Sequence, residues 1–306
     1  MKVAITGASG YIGTKFIEHY SNEVDIVAIT RNRKYEYLNK VIINSLNDIT
    51  ANNLADVNCI VHLAGLAHSN KYTLDNYNQV NVQGTINLAR TAIKVGVKRF
   101  VYISSIGVYG NKSQNISLTE DVEPEPVGAQ ADSKLKTEIK LKKLVDSSEM
   151  ELVIVRPAIV YGPSAPGNFN KLICIINKLS FVPFGLVNNA RSFISINNIC
   201  SFIYLVCKHP KAANEVFVIA DKEYISIKNL TCNIAKEIGK PLIQVPIPIH
   251  LMFLTAKMVG KSTLVNNLIG NLRVDSSKAN TLLGWHQKEK LDDVLSDLIN
   301  VEKNND

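Results

Sequence analysis

A group of glycines near the start of the chain has the spacing of a phosphate-binding turn. Gly7, Gly10 and Gly13 lie three residues apart, directly after a short apolar run and at the start of a segment with helical hydrophobic spacing. Glycines let the backbone turn tightly and approach a pyrophosphate, whose charge is then held by free N–H groups and the positive end of the helix dipole. The pattern therefore predicts a dinucleotide site rather than a tight turn alone. The predicted cofactor-binding residues of the turn are Gly7, Ser9, Gly10, Tyr11, Ile12 and Gly13.

The end of the second apolar run is the place where such a site distinguishes NAD from NADP. A carboxylate there would hydrogen-bond the ribose hydroxyl of NAD, but Thr30 stands at this place and Arg31 follows it. A guanidinium can hold the 2′-phosphate of NADP through two hydrogen bonds, which favours NADP. Arg31 as a solvated cation of a basic loop is the alternative, since Arg33 and Lys34 follow closely. The sequence leaves the cofactor as NAD or NADP.

A sheet is needed to position these residues. Near-continuous apolar runs predict strands buried on both faces, as in a parallel sheet covered by helices. The runs are Val3 to Thr6, Ile26 to Thr30, Val41 to Ile43, Cys59 to Leu63, Arg99 to Ser104 and Leu152 to Arg156. Helical spacing between most of them predicts an α/β fold with a Rossmann-type, doubly wound parallel sheet. The mainly helical pattern after residue 220 predicts a smaller, mainly helical substrate lobe.

The change of proline and glycine pattern sets the domain boundaries. We expect the dinucleotide-binding domain to comprise residues 1–162 plus 188–220, and the substrate lobe residues 163–187 plus 221–306. One segment of the lobe is strongly apolar and is predicted to be the core face of a helix; only an exposed version of it would suggest contact with a membrane. Its residues are Leu251, Met252, Phe253, Leu254 and Met258.

The composition is that of a globular protein. Of the 306 residues, 46% are hydrophobic and 20% charged, so a large core can form without a metal or a crosslink. The net charge of +7 suits an anionic ligand such as a nucleotide. The five cysteines include no Cys-x-x-Cys pair, and the sequence has neither a signal-peptide pattern nor 18 consecutive apolar residues. We expect a cytoplasmic protein with no metal site and neither a nucleic-acid nor a membrane partner.

Further motifs follow along nearly the whole chain. They are Asp48-Ile49, His62-Leu63-Ala64-Gly65, Asn81-Val82-Gln83-Gly84-Thr85, Ser104-Ser105-Ile106-Gly107-Val108-Tyr109-Gly110, Arg156-Pro157, Val160-Tyr161-Gly162-Pro163 and Arg191-Ser192-Phe193-Ile194. With the glycine turn, this series resembles the extended short-chain dehydrogenase/reductase family, in particular the NAD-dependent epimerase/dehydratase type that acts on nucleotide sugars. Besides the turn and Arg31, the resemblance implies that the cofactor is contacted by Asp48, Ile49, Leu63, Ala64, Gly65, Asn81, Ser104, Lys134 and Pro157.

The same resemblance implies the catalytic residues, with one departure. The family transfers a hydride at a sugar carbon, using a tyrosine as acid/base, a serine or threonine that bonds the same oxygen, and a lysine that lowers the tyrosine pKa. Ser105 and Lys134 match the last two roles, whereas the residue four positions before the lysine is Gln130. A glutamine amide can hydrogen-bond a substrate oxygen but cannot transfer a proton, so its presence should cost roughly 10²- to 10⁴-fold in rate.

Three explanations of Gln130 stay open. The natural protein is impaired, another phenol such as Tyr109 or Tyr161 replaces the missing one, or the glutamine was introduced to trap a complex. On the substrate side, the resemblance implies contacts from Ser105, Ile106, Asn168 and Arg191, with Arg191 pairing with the substrate diphosphate.

The function implied by the resemblance is 4-epimerisation of UDP-glucose or a UDP-N-acetylhexosamine, as in bacterial surface-polysaccharide synthesis. An NADPH-dependent UDP-4-keto-sugar reductase, favoured by Arg31, and a non-catalytic dinucleotide or sugar-nucleotide binding protein, favoured by Gln130, are the alternatives. A dehydratase is disfavoured because Ile106 and Gly107, rather than an acid pair, follow Ser105. The resemblance also implies a homodimer.

Overall fold

Within the described residues the chain forms twelve strands. The structure is a computed structural model that describes residues 1–67, 71–110, 116–258, 260 and 262–302, without the side chains of residues 168, 262–264, 267 and 297–302. The strands are β1 (Lys2–Thr6), β2 (Asp25–Thr30), β3 (Lys40–Ile42), β4 (Cys59–His62), β5 (Arg99–Ile103), β6 (Glu151–Pro157), β7 (Ile159–Tyr161), β8 (Phe181–Val182), β9 (Arg191–Ser195), β10 (Val216–Ile219), β11 (Tyr224–Ile225) and β12 (Ile243–Gln244).

The helices alternate with the strands in the first part of the chain and dominate after β10. They are α1 (Tyr11–Tyr20), α2 (Leu74–Tyr77), α3 (Thr85–Lys94), α4 (Ala129–Val145), α5 (Asn168–Lys178), α6 (Ile196–Lys208), α7 (Ile227–Ile238), α8 (Ile249–Met258), α9 (Ser262–Ile269), α10 (Ser277–Leu283) and α11 (Leu291–Glu302). The segment Asn78–Gly84, between α2 and α3, is π-helical. In the part of the chain that is described, no helix combines the length and the apolar character needed to cross a bilayer.

Seven parallel strands form the central sheet in the order β3-β2-β1-β4-β5-β6-β10. The strand order reverses between β1 and β4, which is the arrangement of a doubly wound Rossmann sheet. The predicted fold class is therefore confirmed. Each of the six predicted strands lies within one residue of its observed bounds.

The strand ends that carry the predicted site meet at one edge of this sheet. Thr6 at the end of β1 pairs in register with Ile29 of β2 and with His62 of β4. His62 in turn pairs with Tyr102, one residue before β5 ends. The carboxyl ends of β1, β2, β4 and β5 thus form one continuous edge, where doubly wound sheets bind their ligands.

Both faces of the sheet are covered by helices, as near-continuous apolar strands require. Val3 and Ile5 pack on the side of α1 and α6, in a first hydrophobic cluster. Ala4 points to the opposite side and packs with α3 and α4, in a second cluster. Alternate strand residues therefore contribute to two separate cores.

A third hydrophobic cluster lies in the region predicted as the substrate lobe. It includes Phe169 and Ile176 of α5, Ile234 of α7 and Leu295 of α11. Residues 272–285 belong to the predicted lobe as well, but Leu283 and the residues that pack with it join the first cluster. The predicted domain boundaries stay a prediction.

Candidate active site

The predicted glycine turn joins β1 to α1 and lies against two neighbouring strands. The Gly7 N–H donates to the Ile29 carbonyl of β2 at 3.1 Å. Gly7 has a φ of +73°, and a Cβ there would lie 2.9 Å from the Ala64 nitrogen beyond β4. A Cβ on Gly13 would collide with the Gly7 carbonyl oxygen. Side chains at these two positions would push α1 away from the strand ends and close the approach that a pyrophosphate needs.

The start of α1 retains the electrostatic character of an anion site. The Gly10 N–H donates to the Gly7 carbonyl at 2.9 Å, and Tyr11 and Ile12 are half-buried against the first cluster. Within the described turn, no side chain caps the helix and its first turn holds no acidic residue. Its free N–H groups and dipole are therefore available to an anion.

The end of β2 is neutral. The Thr30 hydroxyl is buried and lies 2.8 Å from the Ser9 hydroxyl, and it accepts the Asn32 N–H at 3.0 Å. Arg31 is exposed. The predicted ribose region therefore presents hydroxyls next to a solvent-exposed guanidinium.

Asp48 has a structural contact that the sequence did not reveal. One of its carboxylate oxygens accepts the backbone N–H groups of Asn44 and Ser45 at 3.0 and 2.9 Å, closing a capping box on the short 3₁₀ helix Leu46–Asp48. The side chain of the following Ile49 is buried in the second cluster. A role of Asp48 and Ile49 toward an adenine stays a prediction.

His62 is a fully buried, neutral residue beneath the site. The Thr85 hydroxyl donates to the Asn81 carbonyl at 2.6 Å, so at 2.8 Å it accepts a proton from Nε2 of His62. Nδ1 of His62 therefore accepts from the Thr6 hydroxyl at 2.7 Å. Burial, together with the charge of Lys134, lowers the pKa of His62 to about 3. The ring joins β1 to the α3 region without carrying charge.

Asn81 holds the loop after β4 and joins it to α4. Its side-chain oxygen accepts the Leu66 N–H at 2.7 Å, while its nitrogen donates to the Leu66 carbonyl at 3.3 Å and to the Ser133 hydroxyl at 3.0 Å. A Cβ on Gly65 would lie 3.1 Å from Asn81 Oδ1 and 3.7 Å from Lys134 Nζ. The predicted cofactor loop Leu63 to Gly65 therefore lies beside Lys134, and Asn81 fixes its shape.

Lys134 is buried at the end of β5. Its Nζ donates to the Ile103 carbonyl at 2.8 Å and lies 4.9 Å from the centre of the Tyr102 ring. Burial lowers the pKa of Lys134 to about 8, against the opposing effect of the Glu138 carboxylate. The other lysines of α4, at positions 136, 140, 142 and 143, are exposed. Among the lysines of this helix, only Lys134 is buried.

Ser105 and Gln130 lie next to this lysine. Ser105 follows Ile103 by two residues, and its Oγ accepts the Gly107 N–H at 3.0 Å. A Cβ on Gly107 would lie 3.8 Å from the Ala131 side chain, so this turn contacts the start of α4. Gln130 is half-buried one helical turn before Lys134, and among the described residues its amide has no hydrogen-bond partner. The structure thus brings the three predicted catalytic residues to one strand end.

The two phenols considered as replacements are bonded elsewhere. The Tyr109 hydroxyl donates to the Thr119 carbonyl at 2.8 Å and accepts from Arg156 at 2.6 Å. The Tyr161 hydroxyl donates to Asp221 at 3.2 Å, and burial raises the pKa of this tyrosine well above its ordinary value. Both rings are fully buried. These contacts disfavour a relocated acid/base at either position.

Arg191 is a buried cation that bonds a backbone carbonyl. It is 7% exposed, its Nη1 donates to the Gly270 carbonyl at 2.7 Å, and no carboxylate of the described residues pairs with it. Burial lowers its pKa to about 10. An unpaired buried guanidinium attracts an anion such as a diphosphate. Ile106 and Pro157 are buried at the ends of β5 and β6, whereas the side chain of Asn168 lies outside the described part.

Comparison with known proteins identifies the family. The model of the NAD dependent epimerase/dehydratase family matches residues 3–220. The chain belongs to this family. The UDP-glucose 4-epimerase of Vibrio cholerae is 35% identical over 300 residues, covering 94% of this chain and 92% of that protein. The N-acetyl-alpha-D-glucosaminyl-diphospho-ditrans,octacis-undecaprenol 4-epimerase of Escherichia coli O157:H7 is 27% identical over 277 residues, covering 87% and 83%.

The fold is also found among solved structures. MoeE5 in complex with UDP-glucose and NAD superposes with a TM-score of 0.80 at 22% identity, covering 100% of this chain and 99% of that one. At this identity the match shows a common fold. The prediction of an epimerase/dehydratase family member is confirmed, and the family to which it belongs depends on NAD.

One group of residues in this family member was missed by sequence reasoning. Glu138, one turn after Lys134, is buried, accepts the Ser104 hydroxyl and pairs with Arg156 at 2.5 Å. Arg156 also donates to Tyr109. A buried carboxylate therefore joins α4 to the ends of β5 and β6. The signal was a Glu four residues after the lysine, on the same helix face, together with an Arg at a strand end.

Proposed function

We propose that this member of the NAD-dependent epimerase/dehydratase family binds a nicotinamide dinucleotide and a UDP-sugar, and that it is a 4-epimerase impaired by Gln130. The observation that carries the proposal is the convergence of Ser105, Gln130 and Lys134 at the end of β5. Ser105 and Lys134 would fill two roles of a catalytic triad, and an amide occupies the position one helical turn from the lysine.

The residues of the turn fit a dinucleotide. Gly7 allows the turn to lie directly against the backbone of Ala64, where a Cβ would collide, and the described first turn of α1 carries no acidic side chain. Backbone N–H groups at this helix end would hold the diphosphate. A dinucleotide held there would supply the hydride-transfer chemistry that epimerisation at the sugar C4 requires.

The chain's own residues have separate tasks in this reaction. The Ser105 hydroxyl donates a hydrogen bond to the sugar oxygen, and Lys134 supplies positive charge next to it. The Gln130 amide orients the same oxygen but cannot accept its proton. The proton must then leave to a weaker base such as water, which is why we propose slow turnover.

A UDP-sugar is the proposed substrate. Arg191 offers a buried guanidinium for the diphosphate, since it lacks a carboxylate partner among the described residues. The Vibrio cholerae relative is named for UDP-glucose, and the Escherichia coli relative for a diphosphate-linked N-acetylglucosaminyl lipid. The first name supports UDP-glucose, and the second supports an N-acetylglucosaminyl diphosphate. We propose UDP-glucose or a UDP-N-acetylhexosamine as the substrate, and we further propose a homodimer.

The decisive experiment restores the phenol. Epimerisation of UDP-glucose and of UDP-N-acetylglucosamine is measured by sugar analysis with NAD and with NADP, in the wild type and in Gln130→Tyr. We expect the tyrosine to raise kcat by roughly 10²- to 10⁴-fold, because it supplies an acid/base beside Lys134. Gln130→Phe is the matched control, since it adds the ring without the hydroxyl and should stay slow.

Two outcomes would change the conclusion. If Gln130→Tyr binds both the dinucleotide and the UDP-sugar tightly but does not turn the sugar over, the second candidate is favoured. That candidate is a non-catalytic binding protein, and the presence of Gln130 is the reason for considering it. Turnover of a 4-keto sugar with NADPH, lost in Arg31→Ala, would favour the reductase. Failure to bind any dinucleotide contradicts the proposal as a whole.

A further inference from the structure

Helix α8 presents apolar side chains on both of its faces. Met252 and Ala256 are buried on the inner side, where Met252 joins the third hydrophobic cluster. Leu251, Leu254 and Met258 are 44%, 57% and 81% exposed. Their spacing of three and four residues puts them on one outer face, which we call the α8 stripe. The prediction that all of these residues form a core face is therefore wrong for the three members of the α8 stripe.

A second exposed apolar surface precedes this helix. Phe181 of β8 pairs in parallel register with Ile243 of β12, so their side chains lie next to each other on one face. They are 58% and 66% exposed, and Leu179, two residues before Phe181, is 45% exposed. Only the segment 245–248, with two prolines, separates β12 from α8.

The chain segments that contain these surfaces carry basic residues and no acidic ones. The segments 163–187 and 239–258, which contain α5, β8, β12 and α8, have no Asp and no Glu. They carry four lysines at the surface: Lys171, Lys178, Lys240 and Lys257. On α8, exposed Lys257 precedes Met258 and exposed His250 precedes Leu251. Exposed Leu and Met beside lysines, with no acidic residue in these segments, can enter acyl chains and attract anionic headgroups at the same surface.

We infer that the α8 stripe docks this protein on the surface of an anionic lipid bilayer. The three side chains would enter the boundary between headgroups and acyl chains, while the lysines attract the lipid phosphates. A second copy of the chain is a poorer occupant, since a two-fold interface would bring one acid-free, lysine-bearing surface against the same surface. The inference does not rest on the proposed function, because the stripe contains none of the predicted site residues.

The test measures binding to lipid vesicles. Full-length protein is sedimented with phosphatidylcholine vesicles that contain about one third phosphatidylglycerol, and with pure phosphatidylcholine vesicles. We expect binding to the anionic vesicles only, and weaker binding as salt is raised, because the attraction is partly electrostatic. The triple variant L251S/L254S/M258S should lower the partition coefficient by about a hundredfold or more, since it removes the inserted apolar groups.

Matched controls test whether vesicle binding depends on the α8 stripe in particular or on any exposed apolar side chain. The triple variant L38S/L74S/I116S removes three other exposed apolar side chains and should bind vesicles like the wild type. Retained circular dichroism shows that each variant is folded. Absence of vesicle binding by the wild type, or equal loss in both triple variants, would overturn the inference. One further result would overturn the inference: the wild type does not bind lipid, and the α8 stripe variant differs from it in molar mass in solution. The α8 stripe would then join two copies of the chain.

Discussion

The two halves of the candidate site, at the ends of β1 and β5, are held by different forces. At β1, Gly7 and Gly13 leave no room for a side chain, and backbone hydrogen bonds complete the turn. At β5, a buried carboxylate, Glu138, pairs with Arg156 and accepts the Ser104 hydroxyl. The first half is sensitive to an added atom and the second to a removed charge. Perturbations of each kind can test this difference.

The largest effect on stability is expected from the β5 half. Glu138→Gln leaves the Arg156 guanidinium buried without a counter-charge, and we expect the free energy of unfolding to fall by about 3–5 kcal/mol. It also removes the carboxylate that raises the pKa of Lys134, so the pKa of this lysine should fall further. Denaturant unfolding at neutral pH measures the first effect.

An ion pair on the same helix is the control for this prediction. Lys136 and Asp132 are partly exposed and lie 2.7 Å apart at i and i+4. Asp132→Asn should cost only about 0.3–0.5 kcal/mol, because solvent screens such a pair. Equal losses in the two variants would contradict the assignment of the buried pair as the main support of the β5 half.

Adding one methyl group to Gly7 should disrupt the β1 half of the site. Gly7→Ala puts a Cβ 2.9 Å from the Ala64 nitrogen at a φ of +73°, and we expect dinucleotide affinity, measured by calorimetry, to fall by about a hundredfold or more. Gly96→Ala is the matched control, because Gly96 has a φ of +77° but no atom within 4 Å of an added Cβ. It should cost about 1–2 kcal/mol of stability and leave affinity unchanged. Equal affinity in both variants would show that the contact with Ala64 is unimportant.

The two halves also differ in how far the sequence predicts them. The glycine turn and the strands are local patterns, so their positions follow from periodicity and spacing alone. The convergence of Ser105 and Lys134 followed from a family resemblance and is observed at the end of β5. The Glu138–Arg156 pair escaped prediction because the helix reads as a run of solvated charges, and partners 18 residues apart are set by tertiary packing.

The exposure of α8 was unpredictable for a related reason. An apolar run shows that a helix has an apolar side, but it does not show how many sides are covered by other elements. Met252 and Leu254 have the same character in the sequence, yet one is buried and the other exposed. Asn81 is a similar case, since its motif predicts a cofactor contact and its observed partners are Leu66 and Ser133.

His62 joins the β1 half to the α3 region and gives the smallest predicted effect. Its pKa is about 3 in the folded chain and about 6.5 when unfolded, so between these values only the unfolded state binds the proton. Stability from this residue is therefore fully present above pH 6.5 and is lost as the pH falls. The loss is about 1.4 kcal/mol per pH unit, or about 2 kcal/mol between pH 6.5 and 5. Denaturant unfolding should show this extra slope in the wild type and not in His62→Gln.

Other titrating groups must be separated from this slope. Burial raises the pKa of Asp221 to about 6, so this carboxyl takes up its proton more readily when folded and stabilises the chain as the pH falls. Asp221 is present in the wild type and in His62→Gln, so its contribution cancels in the difference between them. If the ring resonances of His62 titrate above pH 5, then its hydrogen bonds to Thr6 and Thr85 do not hold it neutral, and the link between β1 and α3 is weaker than its burial implies.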